Sequence, residues 1–210
     1  MAKLKMKKKS TSTDMTAMCD VAFLLLTFFI LTATAKVPEA LPVDTPSSTV
    51  LTKLPDSDLA IITIGKGKDG ISKVFFDLKG RDLRKETLTG MGAKLGVEFS
   101  DDDKEKFALM DDFGVPLANL QQIIQMKAAD RTKAPQPGIP IDSLDNQLKE
   151  WLLVSRRAAI DLSGGTKELQ IAIKGDAKED YPQIKKIMDI LQDQKINSFN
   201  LVTGMRGKDF

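Results

Sequence analysis

The sequence predicts an α+β protein: a single N-terminal transmembrane helix, an extended linker, and a small mixed α/β domain with a helical insertion. Three observations carry this prediction. One apolar run, residues 15–35, is long enough to cross a bilayer. A proline-rich stretch follows it. The remainder alternates short β-branched runs with segments of helical period. The expected divisions are a basic N-terminus at 1–14, the transmembrane helix at 15–35, the linker at 36–58 and the domain at 59–210, with the insertion at about 84–160.

The first element reads MTAMCDVAFLLLTFFILTATA. At about 1.5 Å per residue it spans roughly 30 Å, one hydrocarbon core. Its one charge is Asp20. A carboxylate there costs on the order of 3 kcal/mol, which points to a proton or ion site facing protein or water. The alternative for Asp20 is an interfacial residue reaching the headgroups. Asp20, Thr27 and Thr34 are spaced by seven, and Thr16 lies four residues before Asp20, so the four share a helix face. Val21, Leu25, Phe28 and Phe29 lie opposite and suit lipid. The threonine hydroxyls have a second use, bonding the carbonyl of the preceding turn.

Lys3, Lys5, Lys7, Lys8 and Lys9 precede the run. Lysines on one side keep that side cytoplasmic and attract anionic membrane lipid. The chain after residue 35 then lies outside. A cleaved signal peptide, ending at Ala33-Thr34-Ala35, is the rival reading. The long polar lead-in, the length of the apolar run and the presence of Asp20 favour a retained anchor. The intact mass of membrane-extracted protein separates the two.

Composition excludes several functions. The chain carries 31 basic and 29 acidic residues, a net of +2, and the lysine cluster supplies the excess. The rest is no nucleic-acid surface. There is no histidine and one cysteine, Cys19. Zinc sites of the usual ligands and Ser-His-Asp or Cys-His catalysis are therefore ruled out. No catalytic residue, metal or cofactor is predicted, and the chain does not read as an enzyme.

Pro38, Pro42, Pro46 and Pro55 make the linker extended, and its simplest reading is a spacer. Strands are expected at 60–64 and 71–78, separated by a turn-rich loop at 66–70. A helix from Asp82 is marked by Leu83, Leu88 and Leu95 and weakened by Gly90, Gly92 and Gly96. Asp101, Asp102 and Asp103 after Ser100 suit a helix N-terminus, with Phe107, Met110 and Phe113 on one side. Calcium is the minor alternative there, since the spacing lacks an EF-hand glycine and the twelfth-position glutamate. Further helices are expected at 117–129 and at 143–159, the latter with Leu144, Leu148, Trp151 and Leu152 on its core face. Gly164-Gly165-Thr166-Lys167 reads as a turn rather than a phosphate loop. The last third is clearest: a strand at 169–174, a helix at 181–194 with Pro182 in its first turn, and a strand at 199–203 form a β-α-β unit.

Two blocks resemble the ExbD/TolR family. Thr13 to Asp20 (TDMTAMCD), followed by VAFLLLTFFILTA, is similar to its membrane segment, in which a single aspartate follows a Thr-Pro turn. Asp20 matches the aspartate, Thr16 the turn threonine and Thr27 a hydroxyl one heptad on. Ala17 stands where proline is usual, and Asp14 near a position that is often asparagine. The second block, IAIKGDAKEDYPQIKKIMDILQDQKINSFNLVT, resembles the outer domain at Asp176, Tyr181, Met188-Asp189 and Leu201-Val202. The long middle departs from the family.

The resemblance implies a proton-channelling subunit of a bacterial inner-membrane motor, single-pass, with its C-terminal domain periplasmic. Its implied partners are an ExbB-like polytopic subunit forming a pentamer, a TonB-like transducer and a second copy of itself as a homodimer. Asp20 is the implied proton carrier, with Thr16, Thr27 and Thr34 as its polar face. Leu41-Pro42, in the tether, and Tyr181 are the implied partner contacts. A TolR-like or gliding-type subunit with another outer partner, and a secreted binding protein, remain the alternatives.

Overall fold

A computed structural model of the chain describes residues 15–33, 39–48, 54–67, 69–131, 133–142 and 145–205. Two compact units result, residues 1–37 and 38–210. The first contains helix α1, Met15–Thr32. Its 18 residues rise about 27 Å. The residues are apolar apart from Asp20 and three threonines, with a mean hydropathy of 2.0 and none buried within the unit. Thr34 lies outside the described residues.

The second unit is built on a four-stranded mixed sheet. Its strands are β2 (Leu59–Lys66), β3 (Ser72–Lys79), β4 (Gln170–Gly175) and β5 (Asn200–Val202), in the order β3-β2-β4-β5. A short strand β1 (Ser47–Ser48) pairs in parallel with β6 (Gly204–Met205). β2 and β3 form an antiparallel hairpin closed by the Gly67 N–H to Ile71 carbonyl bond of 2.9 Å. β2, β4 and β5 are parallel neighbours. Helix α7 (Tyr181–Asp193) is the crossover between β4 and β5. This completes the β-α-β unit read from the sequence.

Alternation divides the sheet into two faces. Ala60, Ile62, Ile64, Val74, Phe76, Leu78, Ile171 and Ile173 form the front face and join one continuous core with the helices. Leu59, Thr63, Phe75, Asp77 and Ala172 are buried on the back face.

Between β3 and β4 run α2 (Arg81–Leu95), α3 (Asp101–Ala108), α4 (Leu117–Gln125), α5 (Ala128–Arg131) and α6 (Gln147–Leu162). This segment is not an appendage. Trp151 of α6 is fully buried and meets Phe113 at 5.0 Å, Phe107 at 6.1 Å and Phe76 of β3 at 6.2 Å between ring centres. Such aromatic contacts add to the area term.

The glycines that weaken α2 in sequence are what let it pack. A Cβ on Gly90 would lie 2.7 Å from Val154 of α6, and one on Gly92 would lie 2.5 Å from the Val97 carbonyl. Tertiary fit outweighs the propensity cost of about 1 kcal/mol per glycine.

Several expected boundaries move. The helix at 117–129 is split, because Met126 is extended with ψ 150°. Helix α6 begins at Gln147, where the Asn146 side chain accepts from the Lys149 N–H at 3.0 Å. Ser143 and Leu144 lie outside the described residues. Helix α3 ends at Ala108, and Phe113 instead bridges to Phe76 beyond the edge of β3. Gly164 and Gly165, at φ 63° and 84°, follow the C-terminus of α6. An anion-binding loop precedes a helix, so this is a turn.

The linker differs most from expectation. Residues 39–48 are extended, as their prolines require, but they lie on the domain. Leu41 is 5% exposed.

Candidate functional site

On α1, Thr16, Asp20 and Thr27 fall at spacings of four and seven, which an α-helix brings to one side, and Thr32 falls off that side. Asp20 is in the second turn and exposed within its unit. Thr27 lies two turns on, and its hydroxyl donates to the Leu24 carbonyl at 2.9 Å. Thr32 does the same to the Phe28 carbonyl at 2.7 Å. These bonds satisfy the hydroxyl protons and leave oxygen lone pairs as acceptors. The Thr27 oxygen can therefore receive a bond from a protonated carboxyl or a water. Thr16 lies one turn before Asp20 on the same face. The opposite wall holds Phe28 and Phe29, edge to face at 5.9 Å. Cys19 is exposed and carries a free thiol.

The helix offers one ionisable carboxyl in an apolar cylinder. Its chemistry is a change of charge, and through that a change in the surroundings the helix face prefers. Among the described residues no group of three or more His, Cys, Asp or Glu side chains is arranged to hold a metal.

In the second unit the three partner-contact candidates separate. Tyr181 opens α7 and is 67% exposed. Pro42 is exposed. Leu41, its neighbour, faces inward to its own domain.

Residues that sequence reasoning missed surround Leu41. Ala40 donates its N–H to Asp112 Oδ1 at 3.3 Å. Lys174 Nζ pairs with Glu39 at 2.6 Å. The Ala177 N–H bonds the Asp44 carbonyl at 2.8 Å. A Cβ on Gly65 would lie 2.5 Å from Val43 Cγ1 and 3.5 Å from Leu41 Cδ2, so only glycine leaves room for this crossing.

Asp77 anchors the neighbourhood, paired with Arg84 Nη2 at 2.6 Å and Lys79 Nζ at 2.7 Å. Burial pushes the Asp112 carboxyl above its ordinary value. The Ala40 N–H opposes that rise, while nearby Asp77, Glu39 and Asp111 add to it. No local pattern marks Asp112 or Gly65, because each matters only through a segment distant in sequence.

A second buried carboxylate is structural. Asp103 and Ser100 form a reciprocal capping box at the start of α3, and Gln121 and Gln125 of α4 also bond Asp103. Burial works against its charge, but these hydrogen bonds more than offset it and hold the carboxyl below its usual range.

A family model described as biopolymer transport protein ExbD/TolR matches residues 6–205. No curated protein and no solved structure matches the chain.

Proposed function

This chain belongs to the ExbD/TolR family of biopolymer transport proteins, and we propose that it is the proton-channelling subunit of an ExbB–ExbD-type inner-membrane motor. Members of the family are non-enzymatic, energy-transducing components of biopolymer transport that work with polytopic membrane partners. The observation that carries the finer reading is Asp20, the one charge on an 18-residue helix apolar enough to span a membrane.

In this reading the N-terminus is cytoplasmic and the C-terminal unit periplasmic. Two copies of α1 sit inside an ExbB-like pentamer. Ionised Asp20 favours a polar wall, which partner hydroxyls supply. Protonated Asp20 is neutral and passes an apolar wall. Proton gain from one side and loss to the other bias the rotational setting of the helix. One charge crossing 100 mV is worth about 2.3 kcal/mol. That shifts a two-state equilibrium by roughly fifty-fold. Thr16, Thr27 and Thr34 supply the remaining polar face, and the outer unit passes the motion to a TonB-like transducer, with Pro42 and Tyr181 available for contact.

Asp20→Asn keeps shape and removes the titration. The expected outcome is normal membrane insertion and co-purification of the polytopic partner, with loss of gradient-driven uptake. Full uptake by this variant removes Asp20 from the mechanism. The transducer is identified by what co-purifies with the wild-type complex, and a TolR-like or gliding-type partner there replaces the TonB-like one.

A further inference from the structure

The back face of the sheet is covered from two directions. The loop at Gly114 lies over Phe75, where an added Cβ would meet the ring at 2.7 Å. The tether crosses the same face at Gly65. Residues 39–44 start where Ala40 meets Asp112 and Glu39 meets Lys174, pass Gly65 of β2, and reach Ala177 after the end of β4. Residues 47 and 48 then pair with 204 and 205.

We propose that the helical insertion is a clasp for the membrane tether: Asp112 and the back face of the sheet hold residues 39–48 as a strap, and its release lengthens the free chain between α1 and the domain. Only the use of that added reach rests on the motor reading; the clasp itself does not depend on Asp20.

The change in reach follows from chain length. With the strap seated, the six residues 33–38 join it to α1 and span at most roughly 20 Å. With the strap free, the 26 residues 33–58 span up to about 90 Å. The strap is also lightly anchored. It buries one side chain, Leu41, in ten residues, whereas β2 buries six of eight. Segments with so few buried contacts open before the strands beneath them.

The charges at the clasp make it sensitive to pH. Asp112 faces the Ala40 N–H and the carboxylate of Glu39 from the strap, Asp77 from β3 and Asp111 from its own loop. Glu39 is paired with Lys174, Asp77 with Arg84 and Lys79, and Arg131 lies near Asp111. Protonation leaves a carbonyl oxygen to accept from Ala40 and removes the like-charge contact with Glu39. Seating of the strap is therefore coupled to the charge on Asp112.

Hydrogen exchange on the full chain tests the clasp. The expected result is protection of the Ala40 and Ala177 amides that falls roughly tenfold or more in Asp112→Ala and in Gly65→Val, with β2 and α7 unchanged. Asp112→Asn, which keeps an acceptor oxygen and loses the charge, is expected to keep the protection and flatten its pH dependence. Unprotected Ala40 and Ala177 amides in the wild-type chain overturn the proposal.

A second arm uses Val43→Cys with Gly65→Cys in a Cys19→Ser background, in which the Val43 methyl that a Cβ at 65 would meet at 2.5 Å is itself removed and a disulfide takes its place. Oxidation is expected to lock the strap and halt gradient-driven uptake, and reductant to restore it. Undiminished uptake by the oxidised chain overturns the reach function. Asp20→Asn is expected to leave strap exchange unchanged, so the motor reading and the clasp fail separately.

Discussion

Helices α1 and α6 are of similar length, 18 and 16 residues, and solve opposite problems. Helix α1 is apolar apart from Asp20 and three threonines and buries nothing within its unit. Helix α6 is amphipathic and buries seven residues, Trp151 at their centre. In a helix made for lipid the informative residue is the polar one, because every apolar position is ordinary there. In a helix made for a water-soluble core the informative residue is the large apolar one. A substitution in α1 is therefore expected to change work without changing folding, and one in the α6 core to change folding first.

The largest expected effect is the one already assigned to Asp20. It sharpens the comparison if the thermal midpoint of the second unit is unchanged in Asp20→Asn while uptake is lost. A shifted midpoint breaks the division between the helices.

Next comes Trp151→Ala, which empties the centre of the aromatic cluster. Chemical denaturation is expected to show a loss of about 3–5 kcal/mol. A loss below about 1 kcal/mol would mean the insertion does not share the core.

Asp103→Asn is smaller, about 1–2 kcal/mol near neutral pH, because one capping acceptor is lost. Its pH dependence has a definite sign. The native carboxyl titrates below its ordinary value, so its stabilisation is present above the ordinary value and fades as pH falls through the lowered one. The difference between wild-type and variant unfolding free energies is expected to shrink on acidification. A constant difference removes the charged cap from the account.

Smallest is Thr27→Val on α1. Its hydroxyl proton already serves the Leu24 carbonyl, so the change removes only an acceptor two turns from Asp20. Uptake is expected to fall less than in Asp20→Asn. An equal loss moves the chemistry from the carboxyl to the hydroxyl.

Legibility in the sequence followed the range of the interactions. The run around Asp20 was readable because bilayer thickness sets a length that any apolar stretch can be measured against. The β4-α7-β5 unit was readable because Ile184, Ile187, Met188 and Leu191 carry the helical period between two short strands. The α2 glycines misled, since their reason is the Val154 side chain and the Val97 carbonyl. The linker misled for a related reason. Its prolines specify extended chain, and both a free spacer and a seated strap are extended.

Residue order alone settled the anchor-length helix, its lone carboxyl, the absence of histidine chemistry and the local β-α-β unit. Each depends on spacing within a few turns or on composition. Folding in three dimensions decided that the insertion builds the core, that Gly65 leaves room for Val43, and that Asp112 meets Ala40 across 72 positions of chain. Contacts of that separation have no period to betray them. They exist only once the sheet has placed both segments on one face.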